Sequence, residues 1–241
     1  WAMRRGGWRP AASQRSSSNG VMIVPAFFVV GSGGRVGHDI LIHEGYTVTV
    51  VQKGHESLAA DVAEARDVLE PHVGTVVLVG HSSGGGVISI AGDRDKVKSL
   101  VYVSALQPEV GENMAQLIGS MPAPSDDIKA SRDGHLFFDR TTFNADFAAD
   151  LTTNRTDFMA ASQVPATTAL FGGTVWAAAW HKKPTYAVVS TEDRALSPDL
   201  QRWMYKRAGS KVTEIKASHS VYISQPEAVA KVIDDAASVI K

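Results

Sequence analysis

A serine with a glycine two places to either side, Gly80-His81-Ser82-Ser83-Gly84, directly follows the apolar run Thr75-Val76-Val77-Leu78-Val79. A strand that turns sharply into a helix brings the residues two before and two after the serine into near contact and strains the serine's backbone, so only small residues fit at the flanks. A hydroxyl displayed in this way is a weak nucleophile at neutral pH. It needs a base within hydrogen-bond reach, and that base needs a partner to hold its tautomer and carry its charge. The chain supplies an acid and then a histidine, each after a later β-branched run. Thr191-Glu192-Asp193-Arg194 follows Tyr186-Ala187-Val188-Val189-Ser190, and Ala217-Ser218-His219-Ser220 follows Val212-Thr213-Glu214-Ile215-Lys216. Asp193 is the expected acid rather than Glu192 or Asp199, because Asp199 has a ready place in the first turn of a helix. His38, His43, His55 and His72 precede the serine and His181 precedes the acid, so none of them fits the order Ser, Asp, His. His81 is next to Ser82 but its backbone position points it away, and it reads as structural.

Acyl transfer through Ser82, with His219 as base and Asp193 as its partner, also needs two backbone N–H donors for the oxyanion of the tetrahedral intermediate. The amide of Ser83, where a helix opens behind the nucleophile, is one. The other is expected from the loop after the first strand, around Ala26 to Phe28. No pair of histidines sits with carboxylates at metal-ligand spacing, so no metal is expected.

These residues converge only if the right elements carry them. From Val21 on, short β-branched runs alternate with helical patterns, the way a parallel sheet with crossover helices is written. The predicted strands are Val21–Val24, Tyr46–Val51, Thr75–Val79, Ser99–Ser104, Tyr186–Ser190 and Val212–Lys216. Ser57 caps a helix whose Leu58, Val62, Ala65 and Leu69 form one apolar stripe, which Pro71 ends. Val87, Ile88 and Ala91 continue a helix opened by Ser82. Ser197-Pro198-Asp199 starts another, and Ser224-Gln225-Pro226-Glu227 has the pattern of a capping box. In a parallel sheet the loops after successive strands leave by the same edge, which brings Ser82, Asp193 and His219 together. From about 107 to 183 the alternation fails, and aromatic residues including Phe137, Phe138, Phe143, Phe147, Phe158, Phe171, Trp176 and Trp180 accumulate. That stretch is predicted to be a mostly helical cap over the site, inserted into a single α/β domain spanning 21–241. Residues 1–20 read as a non-native leader or a disordered arm.

Composition excludes several classes of function. A formal charge of −1, spread without blocks, does not draw the chain to nucleic acid or an anionic membrane. The longest apolar stretch, Val21 to Val30, is about half the ~20 residues of a transmembrane helix and is interrupted by Pro25. With 0 cysteines there are no disulfides, thiolate ligands or cysteine nucleophiles, and with no secretory h-region either the expected location is the cytoplasm. Gly31-Ser32-Gly33-Gly34 lacks the lysine of a P-loop and the later glycine of a dinucleotide fingerprint, so a nucleotide-binding domain does not fit.

Gly80-His81-Ser82-Ser83-Gly84-Gly85, Leu100-Val101-Tyr102-Val103-Ser104-Ala105, Ser190-Thr191-Glu192-Asp193-Arg194, and Ala217-Ser218-His219 with Ser224-Gln225-Pro226-Glu227 together resemble α/β-hydrolases of the esterase type, similar to small bacterial hydrolases related to plant methylesterases and hydroxynitrile lyases. The resemblance runs from about Val21 to the C-terminus. It implies the α/β-hydrolase fold, a Ser82–His219–Asp193 triad and no cofactor, and by its alignment the second oxyanion donor is the amide of Phe27. The chain departs from the family at the first strand, where His-Gly is usual and Pro25-Ala26 stands. A misplaced donor there would cost a factor of ~10²–10³ in turnover. The expected activity is cleavage of a small, largely apolar carboxylic ester through an acyl-enzyme. The alternatives are a hydroxynitrile lyase or cofactor-free perhydrolase on the same fold, and a non-catalytic protein that binds a small molecule in the same pocket. Lyases of the related plant group have a lysine directly after the catalytic histidine, and here that residue is Ser220.

Overall fold

The computed structural model describes residues 19–25 and 34–238. In chain order its elements are β1 (Gly20–Val24), α1 (Arg35–His43), β2 (Thr47–Val50), α2 (Leu58–Leu69), β3 (Val76–His81), α3 (Gly84–Ala91), β4 (Val97–Val103), α4 (Met114–Ser120), β5 (Ile128–Ala130), β6 (His135–Phe138), α5 (Phe143–Phe147), α6 (Thr153–Ala161), β7 (Ala166–Thr167), α7 (Thr168–Gly172), β8 (Thr185–Ser190), α8 (Pro198–Arg207), β9 (Lys211–Ile215), α9 (Val221–Ser224) and α10 (Pro226–Ala237).

The six predicted strands form one sheet in the order β2-β1-β3-β4-β8-β9, with every pairing parallel. A strand covered by helices on both faces must be apolar at nearly every position, and every residue of β3 is buried. The two-residue period then divides the strands between two cores. Met22, Val24, Leu78, Leu100 and Tyr102 pack with α2 and α3 on one face. Val21, Val77, Val79, Val101 and Val103 pack with Val229, Val232, Ile233 and Ala236 of α10 on the other.

Local signals set the helix boundaries. Ser57 Oγ accepts a hydrogen bond from Ala60 N at 3.1 Å, Leu58, Val62, Ala65 and Leu69 are buried, and α2 ends at Leu69, with Glu70 as its C-cap directly before Pro71. Each such Leu or Val stabilises the fold by roughly 1.5–3 kcal/mol relative to exposure. Ser197 caps α8, with Pro198 in the first turn. The predicted capping box before α10 does not form: Gln225 takes the N-cap without a side-chain bond. Ser224 is instead the last residue of α9, its N–H donating to Ser220 O at 3.2 Å, and a residue already in a helical turn cannot adopt the extended cap conformation.

The stretch between β4 and β8 is mostly helical, as expected, but not wholly so. Alongside α4 to α7 it carries a three-stranded antiparallel sheet, β5-β6-β7. These strands are 3, 4 and 2 residues long, too short for a period of two to show in the sequence. Phe138, Phe143 and Phe147 form the aromatic centre of this region, with ring centroids 5.7, 5.4 and 4.8 Å apart.

Candidate active site

Ser82 stands in the turn from β3 to α3 with φ +52°, a left-handed conformation that costs a non-glycine residue about 1–3 kcal/mol unless its surroundings impose it. They do so here. Ser82 N donates to Val103 O at 3.3 Å, while Ser82 O accepts from Gly85 N at 3.1 Å and Leu106 N at 3.0 Å. A Cβ on Gly80 would come within 2.8 Å of the Gly84 backbone, and one on Gly84 within 2.2 Å of Val24 O. The turn therefore admits no side chain at either flank. Helix α3 begins at Gly84, two residues later than expected, with the buried Ser83 at its N-cap. The loop after β4 that meets this turn is strained as well. Ser104 has φ +44° and shares a 2.6 Å hydroxyl bond with Ser190, and the Tyr205 hydroxyl donates to Ala105 O at 2.9 Å while accepting from Ala105 N at 2.8 Å.

Asp193 lies in the loop between β8 and α8, and His219 lies between β9 and α9. The imidazole Nδ1 donates to Asp193 Oδ2 at 2.7 Å, and both residues are 1% exposed. The buried carboxylate is matched by three further donors: Ala195 N at 2.9 Å and Leu196 N at 2.8 Å on Oδ1, and Gln201 Nε2 at 2.8 Å on Oδ2. The rival acids are occupied on the surface, Glu192 with Lys216 at 3.5 Å and Asp199 with Arg202 at 2.9 Å. His81 is turned toward the opposite face of the sheet from the elbow. Burial first, and the neighbouring His219 second, hold its imidazole well below the ordinary value. It is therefore neutral, with Nε2–H donating to His219 O at 2.9 Å, and its ring packs tilted against His219 and Tyr222, with centroids 4.7 and 4.6 Å away.

Ser82 and His219 line one cavity of about 340 Å³, walled chiefly by Leu106, Ile118, Phe138, Phe147, Phe171 and Leu196. The Phe147 ring meets the imidazole edge-on at 4.8 Å. Not all the aromatic residues between β4 and β8 face inward: Phe158 is 69% and Trp176 48% exposed. A larger apolar cavity, about 650 Å³, lies on the other face of the sheet between α1 and α10. His81 borders it, but Ser82, Asp193 and His219 do not. Phe27, expected as an oxyanion donor, lies outside the described residues. Among the described residues, no three or more His, Asp or Glu side chains are grouped to hold a metal ion, and no helix is long and apolar enough to cross a membrane.

Sequence reasoning missed Gln201. Its amide donates to Asp193 Oδ2 and, at 3.0 Å, to Leu196 O, while its oxygen accepts from Ser190 N at 3.3 Å. The available signal was its place on the buried face of α8 among Leu200, Met204 and Tyr205, since a polar side chain on an apolar stripe must find partners there.

A sequence model of the alpha/beta hydrolase family matches residues 27–232. Among solved structures, the chain is similar to a pyrethroid hydrolase from Sphingobium faniae, at 23% identity over 92% of this chain and 97% of that one, with a TM-score of 0.76. It is similar to polyneuridine aldehyde esterase at 18% identity over 91% and 99%, TM-score 0.78, and to a methylesterase from Arabidopsis at 15% over 92% and 99%, TM-score 0.75. None of the curated proteins matches the chain. At these identities the likeness is one of fold, and it agrees with the family match over most of the chain. With six parallel strands, a strained serine turn at the end of β3 and helices on both faces of the sheet, the chain belongs to the alpha/beta hydrolase family.

Proposed function

We propose that the protein is a serine hydrolase that cleaves a small, largely apolar carboxylic ester through an acyl-enzyme. The observation that carries this reading is the 2.7 Å bond from His219 Nδ1 to a fully buried Asp193, in a histidine that shares one apolar cavity with Ser82. With Nδ1–H committed to the carboxylate, Nε2 is the basic nitrogen of the neutral imidazole, the tautomer that accepts a proton from a serine hydroxyl. Ser82 Oγ attacks the ester carbonyl as its proton passes to His219 Nε2, and Asp193 stabilises the imidazolium. The same proton then goes to the departing alkoxide, leaving an ester on Ser82 that water hydrolyses by the reverse sequence. The Ser83 amide, at the start of α3, serves as one oxyanion donor, and the Phe27 amide is the other by alignment. Cavity walls of Leu, Ile and Phe favour uncharged apolar acyl and alcohol groups, each buried CH₂ contributing about 0.8 kcal/mol to binding. That esterases occur among the proteins sharing this fold supports the same choice of bond.

The test is intact-protein mass after incubation with a fluorophosphonate, beside the variant Ser82→Ala. One adduct on the wild type and none on the variant is the expected result, with loss of ester cleavage in Ser82→Ala of at least about a thousandfold. A folded wild-type protein that takes no adduct would overturn the reading and favour a non-catalytic binding role.

A further inference from the structure

The loop that carries His219 has no regular structure of its own: β9 ends at Ile215 and α9 starts at Val221. It is fastened instead to the chain that follows α5. Asp150 Oδ2 accepts from Ser218 N at 3.0 Å, and Asp150 Oδ1 accepts from the Ser218 hydroxyl. Ser218 Oγ in turn accepts from Ser220 N at 3.2 Å, and Ser220 Oγ donates to Phe147 O at 3.2 Å. The residues on both sides of His219 are thus tied to the stretch from Phe147 to Asp150, and the Phe147 ring lies against the imidazole. Although burial pushes the Asp150 carboxyl up, hydrogen bonds, from Ser218 first and Ser224 next, outweigh it and hold the group below the usual carboxylate range. At neutral pH it is an anion, the form that accepts both Ser218 donors most strongly.

We propose that Asp150 is a positioning residue for His219: by fastening Ser218 it sets where the imidazole stands between Asp193 and Ser82, and it couples the base to the Phe147 wall of the cavity. This rests on the reading of Ser82, His219 and Asp193 as a triad. Asp150 does not border the cavity, so its effect falls on the geometry of proton transfer rather than on substrate contact. A displacement of about 1 Å in such a group costs up to ~10²-fold in rate.

The test uses the full chain with Asp150→Ala and Asp150→Asn, read by kcat and KM on a short-chain aryl ester and by the far-downfield proton resonance of His219 Nδ1–H, assigned by its absence in His219→Ala. Asp150→Ala should lose roughly ten- to a hundredfold in kcat with KM little changed, and its downfield resonance should move or broaden. Asp150→Asn keeps one acceptor oxygen and should recover part of both. Wild-type kcat and an unmoved resonance in folded Asp150→Ala would overturn the proposal. If that variant does not fold, Ser218→Ala, which removes only the hydroxyl, is judged by the same two outcomes. Failure of the triad reading is visible separately, as unchanged ester cleavage in Ser82→Ala, and the resonance still decides what Asp150 does.

Discussion

In the proposed triad Asp193 is buried and acts through its partners, so the residues that hold it matter as much as the carboxylate itself. Gln201 is the side chain to remove, because it touches Asp193 without bordering the cavity, although its bonds to Leu196 O and Ser190 N are lost with it. A hydrogen bond to a charged group contributes about 1.5–3 kcal/mol, which corresponds to about ten- to a hundredfold in rate if it is lost only where the imidazolium forms. Gln201→Leu should therefore lower kcat by that factor and leave KM close to wild type, measured per active site titrated with fluorophosphonate. A variant as active per titrated site as the wild type would show that Gln201 only fills space.

The element that places Ser82 is the β3–α3 turn, and its tolerance for side chains is nil on the side facing the β4 loop. A Cβ on Gly85 would lie 2.0 Å from the carbonyl oxygen of Leu106, the residue whose N–H donates to Ser82 O. Gly85→Ala must push that loop away, at a cost of about 1–3 kcal/mol or more, and drag Leu106 from the cavity wall. The expected outcome is a lowered Tm together with loss of activity in the molecules that remain folded. Equal Tm and activity would mean that the loop after β4 shifts freely.

At the scale of the whole molecule, the buried neutral His81 makes stability depend on pH. Its folded value is depressed by burial, whereas in the unfolded chain it titrates near 6.5. The unfolded state therefore binds more protons as the pH falls below that value. The resulting stability is fully present above about pH 6.5 and is lost progressively on acidification toward the folded value. Tm should fall from pH 7.5 to 5, and His81→Gln should reduce that slope over the same window. An unchanged slope in the variant would assign the dependence to other groups.

Much of this protein was legible from its residues alone. The central parallel strands were visible because a strand buried on both faces is written as a continuous apolar, β-branched run, the edge strands β2 and β9 because valine alternates there with threonine or charged residues, and α2 because Ser57, an apolar stripe and Pro71 mark its start, face and end. Ser82 and its two glycines were visible because a strained turn leaves only small residues a place, and the meeting of the loops after β8 and β9 because parallel strands deliver their loops to one edge. Tertiary structure alone decided the rest. It decided that Asp193 rather than Glu192 meets His219, since neighbouring carboxylates differ only in which way the loop turns them. It decided that the insertion carries a small antiparallel sheet, whose strands are too short to have a period, and that Ser224 closes one helix instead of capping the next. It also brought Asp150 to Ser218 across 68 residues, a contact that no local pattern encodes because it depends on how two loops meet in space.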